Sequence, residues 1–225
     1  MMEKNAKHSR RNFMGTVAAG AATGLSLMTN PLEAIASTDK KLVHEADEWF
    51  KKVKGKHRIV FDGSETHNGF AIIWTWAYYL TNNQTDTPDS DMTAVCVLRH
   101  GGIPFAMNDS IWQKYKFGEM FKVNDNSTGK PSLRNPYYEP KEGDFPMPAI
   151  NGIKKMQERG ALFCVCDLAL TVYSGNAAKA MGLDPAETKK EWLNGVLPGI
   201  QVVPSGVWAL GRAQENGCGY IYAGG

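Results

Sequence analysis

Two cysteines lie two residues apart in the stretch RGALFCVCDLAL, residues 159–170, and an aspartate follows the second one directly. Thiols at that spacing can be packed side chains, a disulfide, a soft metal site or a nucleophile. If the apolar run is a strand, Cys164 and Cys166 share a face with Cβ atoms about 6–7 Å apart. A disulfide needs about 3.8 Å, so the pair is not expected to bridge. Two soft ligands at this spacing say little about a metal. Cys166 closes the run just before a helical segment, whose N-terminal dipole would favour a thiolate, as would a protonated His100 nearby; Asp167 opposes both. Simple burial is an equally open reading of Cys166, because free cysteine is among the most buried residue types. Cys96 falls inside another apolar run and reads as an inert core thiol, while Cys218, between glycines, receives no assignment.

Other residues join Cys166 if the apolar runs are parallel strands, since ligands of such sheets bind beyond the strands' carboxyl ends. Those ends read Asp62-Gly63-Ser64, Arg99-His100-Gly101-Gly102, Cys166-Asp167 and Pro204-Ser205-Gly206. A carboxylate, an imidazole, a thiol and a capped helix N-terminus would then share one edge. The expected catalytic pair is Cys166 with His100, the imidazole tuning the thiol or relaying protons. Asp62, His67, Arg99, Asn108, Ser205 and Gly206 are the expected ligand-binding residues, with Ser205 and its helix terminus suited to an anionic group. The glycines after His100 allow close backbone approach. GSETHNG, residues 63–69, lacks the lysine and glycine spacing of a phosphate loop. The aromatics Trp74, Trp76, Tyr78 and Tyr79 read as core.

The positioning elements alternate. Strands are expected at KHRIVFDGSE, MTAVCVLRHGG, ALFCVC, GIQVVPSG and YIYAGG. Helices are expected at KKLVHEADEWF, GFAIIWTWAYYLTNN, IPFAMNDSIWQKYKFGEMF, AINGIKKMQERG, LTVYSGNAAKAMG, DPAETKKEWLN and SGVWALGRAQENG. Asp184 and Ser205 are placed as N-caps, with Pro185 at a first helical position. Continuous apolar strands alternating with helices specify an α/β fold, a three-layer open sandwich with a five-stranded, mainly parallel sheet. Residues 122–148 are rich in Asn, Pro, Gly and charge, and read as a long irregular insertion.

The N-terminus says where these thiols reside. SRRNFMGTVAAGAATGLSLM carries the twin arginines Arg10 and Arg11, then a mild apolar run, and Ala34-Ile35-Ala36 supplies a small-x-small pattern. This is the layout of a twin-arginine signal peptide over residues 1–36, with residues 37–56 a charged lead-in and 57–225 the domain. A periplasmic location follows. The run is too short and glycine-rich for a stable membrane anchor. The chain's formal net charge is +2. Without Lys4, Lys7, Arg10, Arg11, Glu3 and Glu33, 21 basic residues face 21 acidic ones, a balance that argues against nucleic acid as a partner.

RGALFCVCDLAL, followed by LPGIQVVPSGVWALGRAQENGCGYIYAGG, resembles the DsrE-like (DsrE/DsrF, sulfur-relay) family, in which a strand ending in cysteine precedes a helix and a VVPSGV turn leads to a last GY-x-YI strand. The resemblance covers residues 57–121 loosely and 150–225 well. It implies a five-stranded flavodoxin-like sandwich that assembles into homotrimers or homohexamers, and a persulfide-carrying cysteine at the position of Cys166. Relay members are cytoplasmic and lack the 122–148 insertion, which here would be a lid or an oligomer contact. Three functional expectations follow. The first is an exported protein handling sulfur or thiol chemistry through Cys166. The second is a non-catalytic binder of a small ligand such as haem or a metal, with His100, Cys166 or Met107 as ligands. A third is a structural oligomer with a vestigial pocket. The cofactor itself is not specified by the sequence.

Overall fold

The computed structural model describes residues 39–224; the expected signal peptide lies outside them. Five parallel strands form one sheet: β1 (His57–Gly63), β2 (Met92–Leu98), β3 (Leu162–Cys166), β4 (Ile200–Val203) and β5 (Gly219–Tyr222), in the order β4-β3-β2-β1-β5. Helices α1 (Lys40–Phe50), α2 (Phe70–Gln84), α3 (Asp109–Lys114), α4 (Phe117–Met120), α5 (Ile153–Glu158), α6 (Asp167–Met181), α7 (Pro185–Asn194) and α8 (Gly206–Glu215) complete a three-layer, flavodoxin-like α/β sandwich. In flavodoxin itself β1 lies between β2 and β3; here it lies between β2 and β5.

All seven residues of β2 are buried, as a central parallel strand requires. Alternation divides its side chains between two cores. Ala94, Cys96 and Leu98 join α2, α5 and α6 in one. Val95 and Val97 join Ala46, Trp49 and Phe50 of α1 and Ala209 and Ala213 of α8 in the other. The lead-in therefore supplies part of a core rather than trailing from the domain. The chain steps from β1 through β4 in one direction across the sheet, then returns across it through α8 to β5. Right-handed crossovers put the first three connections on one face and the last on the other. The exits of β3 and β4 consequently diverge to opposite faces, into α6 and α8.

The expected single helix over residues 103–121 is three pieces. His100–Ala106 is a 3₁₀ turn with Pro104 inside it, Asn108 caps α3, and α4 begins after Lys116 at φ +51°. Gly118 packs so closely on Ser132 that a Cβ would overlap its backbone. The 122–148 insertion has no helix and no sheet strand, only an isolated bridge between Asn124 and Pro131. It is nonetheless anchored. Asn135, buried, donates through Nδ2 to the carbonyls of Phe105 (2.8 Å) and Met107 (3.0 Å), and its Oδ1 accepts from Tyr137 N–H at 3.0 Å. Arg134 holds the buried Asp144 through two bonds of 2.7 and 2.9 Å. No described helix is long and apolar enough to cross a membrane.

Asn135→Ala strips two buried carbonyls and one amide of their partner. It is expected to lower stability by about 2–3 kcal/mol in urea unfolding and to open residues 122–148 to proteolysis; a loss within experimental error would contradict the anchoring role.

Candidate functional site

Asp62 lies in the buried half of β1 and is only 2% exposed, so its carboxylate must be paired. Arg99, directly after β2, supplies the pair: Nε donates to Oδ1 at 2.7 Å and Nη2 to Oδ2 at 2.9 Å. Tyr220 of β5 adds a hydroxyl bond to Oδ2 at 2.8 Å. The register explains the convergence. Val60 lies opposite Tyr220 and Asp62 opposite Val97, so three neighbouring strands deliver the three groups to the α8 side of the sheet. The Asp62 carboxylate holds the Arg99 guanidinium pKa above its ordinary value, with smaller contributions from Tyr220 and the Cys166 sulfur, so Arg99 lies within electrostatic reach of that sulfur.

Gly206 must be glycine here. It lies on the Arg99 side chain, where a Cβ would overlap the arginine's own Cβ. Ser205 caps α8, its Oγ accepting Trp208 N–H at 3.2 Å. The expected anchor at Pro204-Ser205-Gly206 therefore abuts Arg99.

Cys166 stands opposite Val203 at the end of β3, where the β3 and β4 exits diverge. A crevice for ligands belongs at such a switch point. Leu168 N–H donates to Pro204 O at 3.3 Å across it. The sulfur turns over the first turn of α6 and accepts Ala169 N–H at 3.3 Å, taking the N-cap position of a 15-residue helix. Cys166 is 5% exposed. Asp167 points away to Lys189 at 3.0 Å, so the carboxylate expected to oppose a thiolate is engaged elsewhere. The other cysteines differ. Burial pushes the Cys96 thiol up to about 12, Cys164 well above its ordinary value and Cys218 up to about 11. All four are free thiols.

His100 lies on a different side of the edge. Arg99 faces α8, whereas the His100 imidazole bonds through Nδ1 to Glu65 Oε1 at 2.9 Å and sits 3.5 Å through Nε2 from the Tyr173 hydroxyl on α6. Its hydrogen bonds run to these two residues and not to Cys166. His67 lies in the β1–α2 loop at φ +37°, its ring 6.2 Å from Phe70. Asn108 is a helix cap: its Oδ1 accepts Ile111 N–H at 3.2 Å and the Ser110 hydroxyl at 2.7 Å, and its own N–H donates to Gly195 O at 2.9 Å. Met107 is fully buried and bridges to Val196. Among the described residues no group of three His, Cys, Asp or Glu side chains is placed to hold a metal ion.

Asp62, Arg99, Ser205, Gly206 and Cys166 thus converge, while His100, His67 and Asn108 do not join that group. The residues absent from the sequence reading are Glu65, Tyr173 and Tyr220. Tyr173 carried a faint signal, two helical turns after Cys166 on the same face. Tyr220 carried none, because only the pairing of β5 with β1 puts it near Asp62.

No family model matches the sequence, and no curated protein matches it. One solved structure, a protein of unknown function from Methanobacterium thermoautotrophicum, aligns over 74% of this chain and 99% of its own, with 19% identity and a TM-score of 0.37. A likeness at that level carries no functional argument.

Asp62→Ala leaves Arg99 and Tyr220 without their acceptor. It is expected to cost about 2–3 kcal/mol, less than a fully enclosed pair because Arg99 keeps some solvent contact. Tyr220→Phe is expected to cost about 1 kcal/mol. Equal effects of the two variants in denaturant unfolding would contradict this ranking.

Proposed function

We propose that the chain handles sulfur or thiol chemistry through Cys166, as an exported, self-associating protein. The observation that carries this reading is the position of the Cys166 sulfur: at the switch point of a parallel sheet, on the N-terminus of α6, with Arg99 beside it. A helix N-terminus and a guanidinium both favour a thiolate over a thiol. The other three cysteines have environments that favour the protonated form. The resemblance of residues 150–225 to sulfur-relay proteins points the same way.

The reaction that fits is sulfane transfer. The Cys166 thiolate attacks the outer sulfur of a donor persulfide. One S–S bond forms at Cys166, the donor's S–S bond breaks, and the donor leaves as a thiolate that takes up a proton. The exchange is redox-neutral and needs no cofactor. Arg99 offsets the negative charge on both the attacking and the loaded sulfur. Ser205 orders the start of α8, so that Gly206 lies on the arginine stem and fixes its direction.

The second expectation, a haem or metal binder, gains no specific support: Met107 is sealed in the core, and His100 and Cys166 share no bond.

Incubation with cysteine persulfide, followed by peptide mass spectrometry, is expected to place one added sulfur on Cys166. Cys166→Ser should abolish the adduct and Cys164→Ser should leave it intact. Loading that survives Cys166→Ser, or that falls on Cys96 or Cys218 instead, rejects the reading.

A further inference from the structure

Apart from the cysteine site, three segments of the chain combine to restrain one surface imidazole. The β1–α2 loop brings Glu65, whose Oε1 lies 2.9 Å from His100 Nδ1. The second turn of α6 brings Tyr173, whose hydroxyl lies 3.5 Å from Nε2 and whose ring meets the imidazole edge-on at 5.9 Å. Phe121 braces Tyr173 from behind at 5.1 Å between ring centroids. The third segment is the backbone of the 3₁₀ turn itself. His100 is held at φ +47°, a region that non-glycine residues seldom occupy. Gly101 and Gly102 follow: a Cβ at 102 would overlap the Gly63 carbonyl, and one at 101 would displace the Glu65 carboxylate. His67 and Asn68, at φ +37° and +48°, occupy the same strained region in the adjoining loop. Strain of this kind persists only where surrounding structure enforces it, and it gathers at functional sites.

The restraint defines the chemistry. A carboxylate accepts only, so Nδ1 carries the proton and Nε2 is the basic nitrogen. Burial and Glu65 raise the Tyr173 phenol above its ordinary value, so it remains a donor. Carboxylate, imidazole and hydroxyl stand in the order of a hydrolase triad, with a phenol in the hydroxyl position. The gap of 3.5 Å between Nε2 and the phenol is longer than a good hydrogen bond, as expected of catalytic pairs before a ligand is bound.

We propose that His100 and Tyr173 form an acid–base pair, separate from the Cys166 site, that takes a proton from a neutral ligand and donates a hydrogen bond to that ligand's oxygen, with Glu65 as the positioning residue. In the step, a ligand C–H or O–H bond breaks and an Nε2–H bond forms. The electron pair stays on the ligand, its charge drawn to the oxygen facing Tyr173, and the imidazolium is balanced by Glu65. Nothing is oxidised or reduced. The ligand is neutral because the cluster already holds one carboxylate, while the adjacent guanidinium of Arg99 is committed to Asp62.

The test uses 5-nitrobenzisoxazole, a neutral aromatic carbon acid that opens to a phenolate when a base removes its ring proton. The full-length protein is expected to accelerate the opening by at least about a hundredfold relative to His100→Asn, a variant whose side chain tolerates the left-handed backbone. Tyr173→Phe should slow it without changing its pH profile, and Glu65→Asp should recover part of what Glu65→Gln loses. In parallel, ¹⁵N NMR of the histidine ring near neutral pH should show the Nδ1–H tautomer in the wild type and its loss in Glu65→Gln. A wild type no faster than His100→Asn, or a wild-type Nε2–H tautomer, overturns the proposal. Cys166→Ser should leave both readouts unchanged, and a loss of either would overturn the independence of the two sites.

Discussion

Asp62 sets the geometry of the sheet's upper edge. A carboxylate taken out of water costs several kcal/mol unless a cation and hydrogen-bond donors replace the solvent, and in this fold the replacements come from two other places in the chain. Arg99 must turn toward α8 to form the two-pronged pair, and Tyr220 must arrive on β5. Once Arg99 turns that way, Gly206 is needed to let α8 approach its stem. The left-handed backbone of the next residue, His100, then carries its ring to Glu65 and Tyr173. One buried charge thereby separates the edge into two neighbourhoods, one built around a thiol and the other around an imidazole.

The thiol neighbourhood gains its character from contrast. Cys96, beside the Thr75 hydroxyl, and Cys164 are fully buried between sheet and helix, and desolvation raises both thiols. Cys166 is almost as enclosed, yet its sulfur ends on a backbone N–H at a helix start and feels the Arg99 charge. Under the proposed function, two residues along one strand separate an inert thiol from one placed for exchange. The engagement of Asp167 by Lys189 matters equally, since an unpaired carboxylate beside the sulfur would work against the thiolate.

Patterns of burial were readable from sequence wherever one local rule decided them. The run of β2, apolar except for Thr93, reads as a strand covered on both sides, and Asp184-Pro185 and Ser205-Gly206 mark helix starts that the structure reproduces. The strand ends were likewise legible, and with them Asp62, Arg99 and Cys166. What failed to show was anything fixed by non-local packing. The segment from 103 to 121 has helical composition throughout, but the Asn108 cap and the clasp of Gly118 on Ser132 divide it. His100 and Cys166 look like partners along the edge, yet the direction of each side chain depends on alternation counted from a register that only strand pairing establishes. Glu65 and Tyr173 acquire meaning solely because the loop after β1 and the second turn of α6 meet there.

The most direct test of the central claim, that Arg99 and the α6 N-terminus make Cys166 the reactive thiol, is a timed native labelling of all four cysteines with iodoacetamide, read by peptide mass spectrometry. The account predicts that Cys166 is alkylated first in the folded protein and that Arg99→Met slows it while leaving Cys218 unchanged. Alkylation of all four cysteines together, on the timescale of unfolding and indifferent to residue 99, would contradict it.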